Sequence, residues 1–221
     1  MTRSGLRLQR LGSARATLVG LGSLVILAGL LLWLAPNEKT LGAGIKPVYL
    51  HVALTWTGLV GLTVSALAGL SLLITARPGL DRWAQTIGWV AFGFFAAGFL
   101  LSLLASQMNW GGLAWGEPRN LTALNTLAIG LSVQIVNGWP IPLRGRGLLR
   151  LLPAAGYGLS AAAAPLILHP RNPIATSSSF GIQFAFFGMF AVCLLAASWL
   201  VLYLHSQGAS LPRPPMSAAA D

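Results

Sequence analysis

Residues 48–75 read VYLHVALTWTGLVGLTVSALAGLSLLIT. The stretch contains no Asp, Glu, Lys or Arg, and it is longer than the roughly 20 apolar residues that a helix needs to cross a bilayer. Apolar and polar residues do not alternate with the period of two that a membrane β-barrel strand requires. The stretch therefore predicts a transmembrane α-helix.

The composition of the whole chain agrees with a membrane protein. Of the 221 residues, 14 are basic and 4 acidic, so charged residues make up 8%, against about 25% in a soluble domain. Hydrophobic residues make up 55%, and the mean hydropathy is +0.73. These values exclude a soluble globular domain and a disordered chain. The single cysteine, Cys193, excludes a disulfide scaffold and a C-x-x-C redox centre, and no C-x-x-C-H motif attaches haem covalently.

Six segments are long enough and apolar enough to be membrane helices. They cover about residues 17–35, 48–75, 84–106, 121–138, 148–168 and 180–204. The fourth segment is the most polar, so we expect it to face other helices rather than lipid. Its polar residues are Asn125, Thr126, Gln134 and Asn137. The predicted fold class is an all-α integral membrane protein, a six-transmembrane-helix bundle.

The first segment follows a basic stretch that is also typical of a signal peptide. Its apolar run is longer than a signal peptide needs and no A-x-A site follows it, so we interpret it as a retained anchor. Basic loop residues predict the orientation. With the N-terminus inside, the inner side holds Arg3, Arg7, Arg10, Arg15, Arg77, Arg82, Arg144, Arg146, Arg150 and Arg213, and the outer side holds Lys39, Lys46, Arg119 and Arg171.

This bias predicts a multi-pass protein of the cytoplasmic (inner) membrane with both termini cytoplasmic. We divide the chain into a basic segment 1–16, a six-helix membrane domain 17–205 and a disordered cytoplasmic tail 206–221. The net charge of +10 is explained by the positive-inside pattern. We therefore expect membrane lipid around the protein and no nucleic-acid partner, because no soluble domain carries the charge on a binding face.

Two histidines fall at the same predicted membrane depth, although they are far apart in the chain. His51 lies at the outer end of the second segment and His169 at the outer end of the fifth. One interpretation is a pair of unrelated interfacial imidazoles. The other is a pair of axial ligands, since two neutral imidazoles can hold the iron of a flat macrocycle from its two faces.

The outer loop between the third and fourth segments is rich in tryptophan and glycine. It reads NWGGLAWGEPRNLT over residues 109–122. Tryptophan is common at membrane interfaces, but it also offers a face for stacking, and glycine allows a backbone to approach a flat ligand closely. Arg119 supplies a fork for a carboxylate. Haem presents an apolar plane, an iron and two propionates, and this loop offers groups suited to each.

These features resemble the haem-handling membrane proteins of cytochrome c assembly, in particular the six-span C subunit of the cytochrome c maturation system. The resemblance covers roughly residues 15–205. It rests on the six spans, on His51 followed by Trp56, and on His169 followed by Pro170 and Pro173.

The same resemblance extends to the outer loop, where the family carries W-G-x-x-W-x-W-D-P-K or W-D-x-R. Trp110-Gly111 and Glu117-Pro118-Arg119 fall at the matching ungapped offsets. Ala114 and Gly116 stand where the family has its second and third tryptophans, Trp115 lies between them, and Glu117 replaces the usual Asp. The loop is therefore a degenerate form of the tryptophan-rich motif.

The resemblance implies a non-enzymatic function, which is the binding and transport of non-covalent b-type haem for c-type cytochrome biogenesis. His51 and His169 are the implied axial ligands of the iron. The implied haem contacts further include Trp110, Gly111, Trp115, Glu117, Arg119 and Arg171. The implied partners are a haem chaperone, an ATP-binding-cassette ATPase and a second permease subunit. The chain has no G-x-x-x-x-G-K-[ST] loop, so ATP chemistry would come from a partner.

Two functions without haem stay open. A permease subunit for a small compound would be expected to carry ionisable residues near the middle of its spans, and none of the six segments does. A structural subunit of a larger membrane complex is compatible with a degenerate motif, but it would have no need of both histidines.

Overall fold

The computed structural model describes residues 13–113, 115–164 and 177–210, and this part of the chain consists of helices joined by short connections. The helices are α1 (Ala14–Leu34), α2 (Ile45–Thr75), α3 (Pro78–Trp110), α4 (Pro118–Val136), α5 (Leu143–Leu149), α6 (Leu152–Ala163) and α7 (Phe180–Ser210). The all-α class is confirmed for the described residues.

Four of these helices, α1, α2, α3 and α7, are long and apolar enough to cross a membrane. They contain the first, second, third and sixth predicted segments, and most extend further at their ends. The extensions carry polar residues that a helix tolerates near the membrane boundary, such as Asp81 and Asn109 on α3. Helix α7 continues to Ser210, so the predicted tail does not begin at residue 206.

Helix α4 corresponds to the fourth predicted segment and has 19 residues. At 1.5 Å per residue it is roughly 28 Å long, close to the thickness of a bilayer core. Three of its four polar residues are buried, as expected for a helix that faces protein: Thr126, Gln134 and Asn137. Asn125 is exposed, so the expectation that the polar residues face other helices is wrong for this residue.

The fifth predicted segment, 148–168, is not one continuous helix. The chain bends at Arg150 and Leu151, between the seven-residue α5 and the 12-residue α6. Pro153 has no backbone N–H and therefore suits the first turn of a new helix. The rest of this segment, from residue 165, lies outside the described residues.

Helices α2 and α3 form the central pair of the bundle. Gly58 of α2 lies against the backbone of Phe95, and a Cβ at Gly58 would stand 2.6 Å from the Phe95 nitrogen. The two helices therefore pack closer than larger residues would allow. Helix α7 covers the other side of α2, where Tyr49, Ala53, Phe186, Met189 and Cys193 form buried clusters. Helix α1 packs mainly on α7, with Gly20 against the Trp199 ring.

Side-chain contacts define two ends of the bundle. At the first, which we call the Trp110 end, Asn109 Nδ2 donates to the carbonyl of Gly44 at 2.9 Å, and the Tyr49 hydroxyl donates to the carbonyl of Pro36 at 3.2 Å. At the opposite Asp81 end, Asp81 binds Arg146 and Arg150. Helix α4 therefore runs from the Trp110 end to the Asp81 end of the bundle.

Candidate functional site

His51 lies in the second turn of α2 and is half-buried against α3. Its Nδ1 lies 2.8 Å from the carbonyl oxygen of Gly98. The Thr55 hydroxyl lies 3.4 Å from the same nitrogen and donates its own hydrogen to the carbonyl of His51 at 2.9 Å. Both oxygens near Nδ1 therefore act as acceptors towards it.

This arrangement assigns the tautomer of His51. A carbonyl oxygen can only accept, so Nδ1 carries the proton, and in the neutral ring the lone pair is then on Nε2. Metal-ligating histidines usually hold their second ring N–H on a backbone carbonyl or carboxylate in the same way, which orients the ring. The surroundings of His51 therefore suit an iron ligand that binds through Nε2.

The tryptophan-rich loop lies above His51 along the helix axis. Gly98, which holds the imidazole, and Trp110, which ends the helix, both belong to α3, and the helix rise puts roughly 18 Å between them. His51 is thus deeper in the bundle than a residue at the very start of a span. The structure therefore holds His51 between α2 and α3, about three turns of α3 away from Trp110.

The loop turns sharply where α3 ends. Gly111 adopts φ 70°, a left-handed conformation that favours glycine, and its N–H donates to the carbonyl of Gln107. Ser106 donates its hydroxyl to the carbonyl of Gly112 at 2.8 Å, which ties the loop to the helix. The end of the helix is therefore sufficient to explain a glycine at position 111. The close approach of a flat ligand, which the sequence predicts, is not needed to explain it.

Trp110 and Trp115 project outward on either side of this turn. Their residues are 51% and 60% exposed. The backbone N–H of Trp115 donates to the carbonyl of Leu113 at 2.8 Å, which closes a tight turn between the rings. The two indoles therefore offer accessible faces at the Trp110 end.

Glu117 and Arg119 have different environments. Glu117 is the N-cap residue of α4 and is 2% exposed, while Arg119 is exposed in the first turn of the helix. The Glu117 carboxylate makes no capping hydrogen bond to the helix. Glu117 thus marks the start of α4, and the exposure of Arg119 leaves its guanidinium accessible to a ligand carboxylate.

The other two expected haem contacts, His169 and Arg171, lie outside the described residues. Within the described ranges, no group of three or more His, Cys, Asp or Glu side chains converges on a metal position. A two-imidazole iron site needs no such group.

Two further residues behave differently from a haem contact. Trp56 packs edge-on against Phe186 and Phe190 of α7, with ring centroids 5.4 and 6.0 Å apart, so it is a helix-packing residue. The ring of His205, near the end of α7, stacks on the ring of Trp83 with centroids 3.6 Å apart.

The sequence missed an ordered turn beside the site. The Glu38 carboxylate accepts hydrogen bonds from the backbone N–H groups of Thr40 and Leu41 at 2.7 and 2.8 Å, which lower the pKa of Glu38. Lys46 donates to the carbonyl of Trp33 at 2.9 Å and holds the end of α1. The pairing of Glu38 with the N–H groups two and three residues later is a turn signal visible in the sequence.

The sequence also missed an ion cluster at the Asp81 end. Asp81 Oδ2 lies 2.8 Å from Arg146 Nη1, and Asp81 Oδ1 lies 2.8 Å from Arg150 Nη2. Arg150 is 2% exposed. In the sequence these arginines indicate only the orientation. Their pairing with Asp81 leaves no local pattern, because Asp81 lies on another helix.

Comparison with protein-family models gives no match, and comparison with curated proteins gives no significant match.

Proposed function

We propose that the protein binds haem at the Trp110 end and passes it to a haem chaperone for the assembly of c-type cytochromes. It acts as a non-enzymatic carrier, a six-span bundle in the cytoplasmic membrane with both termini cytoplasmic and the haem site on the outer side. The observation that carries the proposal is the hydrogen bond from His51 Nδ1 to the Gly98 carbonyl, because it presents Nε2 as the ligating nitrogen.

The residues divide into three roles. His51 and His169 would hold the iron, Trp110, Gly111 and Trp115 would contact the macrocycle, and Arg119 and Arg171 would pair with the propionates. Glu117 orients the start of α4 or a docking partner. The exposure of both tryptophans and of Arg119 supports this assignment, since haem and a chaperone must both reach them.

Transfer in this scheme is an exchange of ligands in which no covalent bond forms or breaks in the protein. The two imidazoles would release the iron when groups of a chaperone docked on the outer loop take their place. ATP hydrolysis is assigned to an ATP-binding-cassette ATPase working with a second permease subunit, because the chain itself lacks a phosphate-binding loop.

The test is the visible spectrum of detergent-purified protein after addition of haem. Wild type, His51→Ala and His169→Ala are compared with His205→Ala, a control histidine at the Asp81 end. We expect a low-spin bis-imidazole spectrum for wild type and the control, and weakened or high-spin binding for the other two variants.

Failure of the wild-type protein to take up haem, or an unchanged spectrum in both ligand variants, would contradict the proposal. A subunit with a purely structural role would then be the better interpretation, and the two imidazoles would serve helix packing and the membrane boundary.

A further inference from the structure

The ion cluster at the Asp81 end contains more hydrogen-bond donors than its protein partners use. Arg150 Nη2 binds the Asp81 carboxylate and lies 3.4 Å from the Asp81 carbonyl. Arg150 Nε and Nη1 have no partner among the described residues, although both atoms are buried. A buried guanidinium with two unsatisfied N–H groups is costly and calls for a further acceptor.

An unsatisfied acceptor lies beside it. Gln134 Oε1 of α4 is buried without a hydrogen-bond partner in the described part of the chain. Ser65 of α2 donates its hydroxyl to the carbonyl of Ala84 at 2.9 Å, so its oxygen can still accept a hydrogen bond. Donors and acceptors from three parts of the bundle thus approach the same point.

These three side chains line a cavity between α2, α3, α4 and the start of α6. The cavity has a volume of about 10 Å³ and is also bordered by Gly88, Gly130 and Pro153. One water molecule needs about 10–15 Å³ and two to four polar partners. The cavity offers enough polar partners for one water molecule, and its volume is at the lower limit for holding one.

We propose that this cavity binds one ordered water molecule, which accepts a hydrogen bond from the Arg150 guanidinium and donates hydrogen bonds to Gln134 Oε1 and Ser65 Oγ. The water supplies one of the acceptors that Arg150 lacks and joins α2 and α4 to the ion cluster. The site lies at the opposite end of the bundle from the proposed haem site and does not depend on it.

A halide ion is the competing occupant, because two arginines share one carboxylate in the cluster. A halide can only accept hydrogen bonds, so it would leave Gln134 Oε1 unsatisfied and place a negative charge against it. Water both donates and accepts, so it can bind the Arg150 donor and the Gln134 acceptor at the same time.

The direct test is a high-resolution experimental structure from crystals grown in bromide. We expect a density peak within hydrogen-bonding distance of Gln134 Oε1 and Arg150, without anomalous scattering. An anomalous peak would identify a halide and overturn the proposal. The absence of a peak, where other buried waters are visible, would overturn it as well.

A second test uses the sign of a stability change. Gln134→Met keeps the length of the side chain but removes a partner of the water, so we expect the melting temperature to fall by about 2–4 °C. The matched control is Thr57→Val, which removes a buried unsatisfied oxygen that does not line the cavity and should leave the melting temperature unchanged or raised. An unchanged or raised melting temperature in Gln134→Met would overturn the proposal.

Discussion

The proton on His51 is positioned by a residue that has no side chain. Gly98 lies directly against Thr55, and a Cβ at Gly98 would stand 2.5 Å from Thr55 Oγ1 and 2.8 Å from its backbone nitrogen. This close approach of α2 and α3 places the Gly98 carbonyl within reach of the imidazole. The orientation of the His51 ring therefore depends on helix packing.

Gly98→Ala should push α2 away from α3 and break the hydrogen bond from His51 Nδ1. We expect a loss of about 1–3 kcal/mol in the free energy of unfolding, as for other overpacked contacts, and weaker haem binding. Nitrogen NMR of labelled histidine should show a smaller fraction of the Nδ1–H tautomer.

The control is Gly93→Ala on the same helix, where a Cβ meets nothing within 4 Å. An unchanged His51 tautomer in Gly98→Ala would contradict the role given to Gly98.

Glu38 should make its turn dependent on pH. Because the backbone N–H groups of Thr40 and Leu41 favour the carboxylate, the pKa of Glu38 is lowered. The stabilisation is complete above the ordinary pKa of glutamate and is lost as the pH falls through the lowered pKa.

The measurement is carbon NMR of labelled glutamate, with the amide signals of Thr40 and Leu41 followed in parallel. The chain has only two glutamates, so Glu38→Gln assigns the signal by its loss. The amide shifts should move together with the Glu38 carboxylate, and in Glu38→Gln they should not titrate. A Glu38 pKa at or above the ordinary value would disagree with this account.

At the scale of the elements, hydropathy predicted the long helices well because transfer into lipid is a sum over neighbouring residues. Helices α1, α2, α3 and α7 all contain their predicted segments. The break between α5 and α6 was missed, although Pro153 is visible in the sequence. Proline is tolerated in membrane helices, so its presence in the sequence does not by itself predict a break.

For the candidate site, too, the sequence predicts local features but not contacts between distant residues. The sequence identifies His51, Trp110 and Arg119 as candidate ligand contacts by their residue types and by the family resemblance, and their role in binding stays a prediction. It does not indicate the Gly98 hydrogen bond, because that contact joins residues 47 apart. The depth of His51 below the loop likewise follows only from the length of α3.

Helix α5 is positioned by a backbone contact that a methyl group should disrupt. A Cβ at Gly147 would stand 2.6 Å from the carbonyl oxygen of Gly69 and 2.7 Å from the nitrogen of Leu73. Gly147→Ala should therefore displace α5 from α2 and cost about 1–3 kcal/mol in the free energy of unfolding.

Gly145→Ala is the matched control on α5, because nothing lies within 4 Å of its Cβ position. It should be neutral or stabilising by up to about 1 kcal/mol through helix propensity. Thermal unfolding in detergent measures both changes, and equal effects of the two substitutions would contradict the close contact.

At the scale of the whole molecule, the two ends differ in charge. The described residues of the Asp81 end include Arg77, Arg82, Arg144, Arg146 and Arg150 against the single acid Asp81. The Trp110 end holds Lys39, Lys46 and Arg119 with Glu38 and Glu117. This asymmetry favours the Asp81 end as cytoplasmic.

Cysteine labelling in a Cys193→Ala background tests this orientation and the crossing by α4. Gly116→Cys at the Trp110 end should react with a membrane-impermeant maleimide in intact cells. Gly79→Cys and Gly145→Cys should react only after the membrane is opened. All three positions have open space around the Cβ. Labelling of Gly145→Cys in intact cells would contradict the proposed crossing by α4.

The ion cluster should make the bundle sensitive to loss of one charge. Asp81→Asn leaves the buried Arg150 without a counter-ion and should cost about 3–5 kcal/mol in the free energy of unfolding. The double variant Asp81→Asn with Arg150→Met should cost less than Asp81→Asn alone, because the uncompensated charge is gone. Thermal unfolding in detergent compares the two, and a larger loss in the double variant would contradict the pairing.

The position of Asp81 in the chain also has a consequence for how the protein is made. Asp81 enters with α3, whereas Arg146 and Arg150 are synthesised 65 and 69 residues later. At the start of α3, near the membrane boundary, the carboxylate can stay hydrated until they arrive. Arg150, in contrast, becomes buried only against a carboxylate already in place, since an unpaired arginine is costly inside a membrane. The ribosome therefore supplies the anion first, and the Asp81 end of the bundle closes only after Arg146 and Arg150 have been translated.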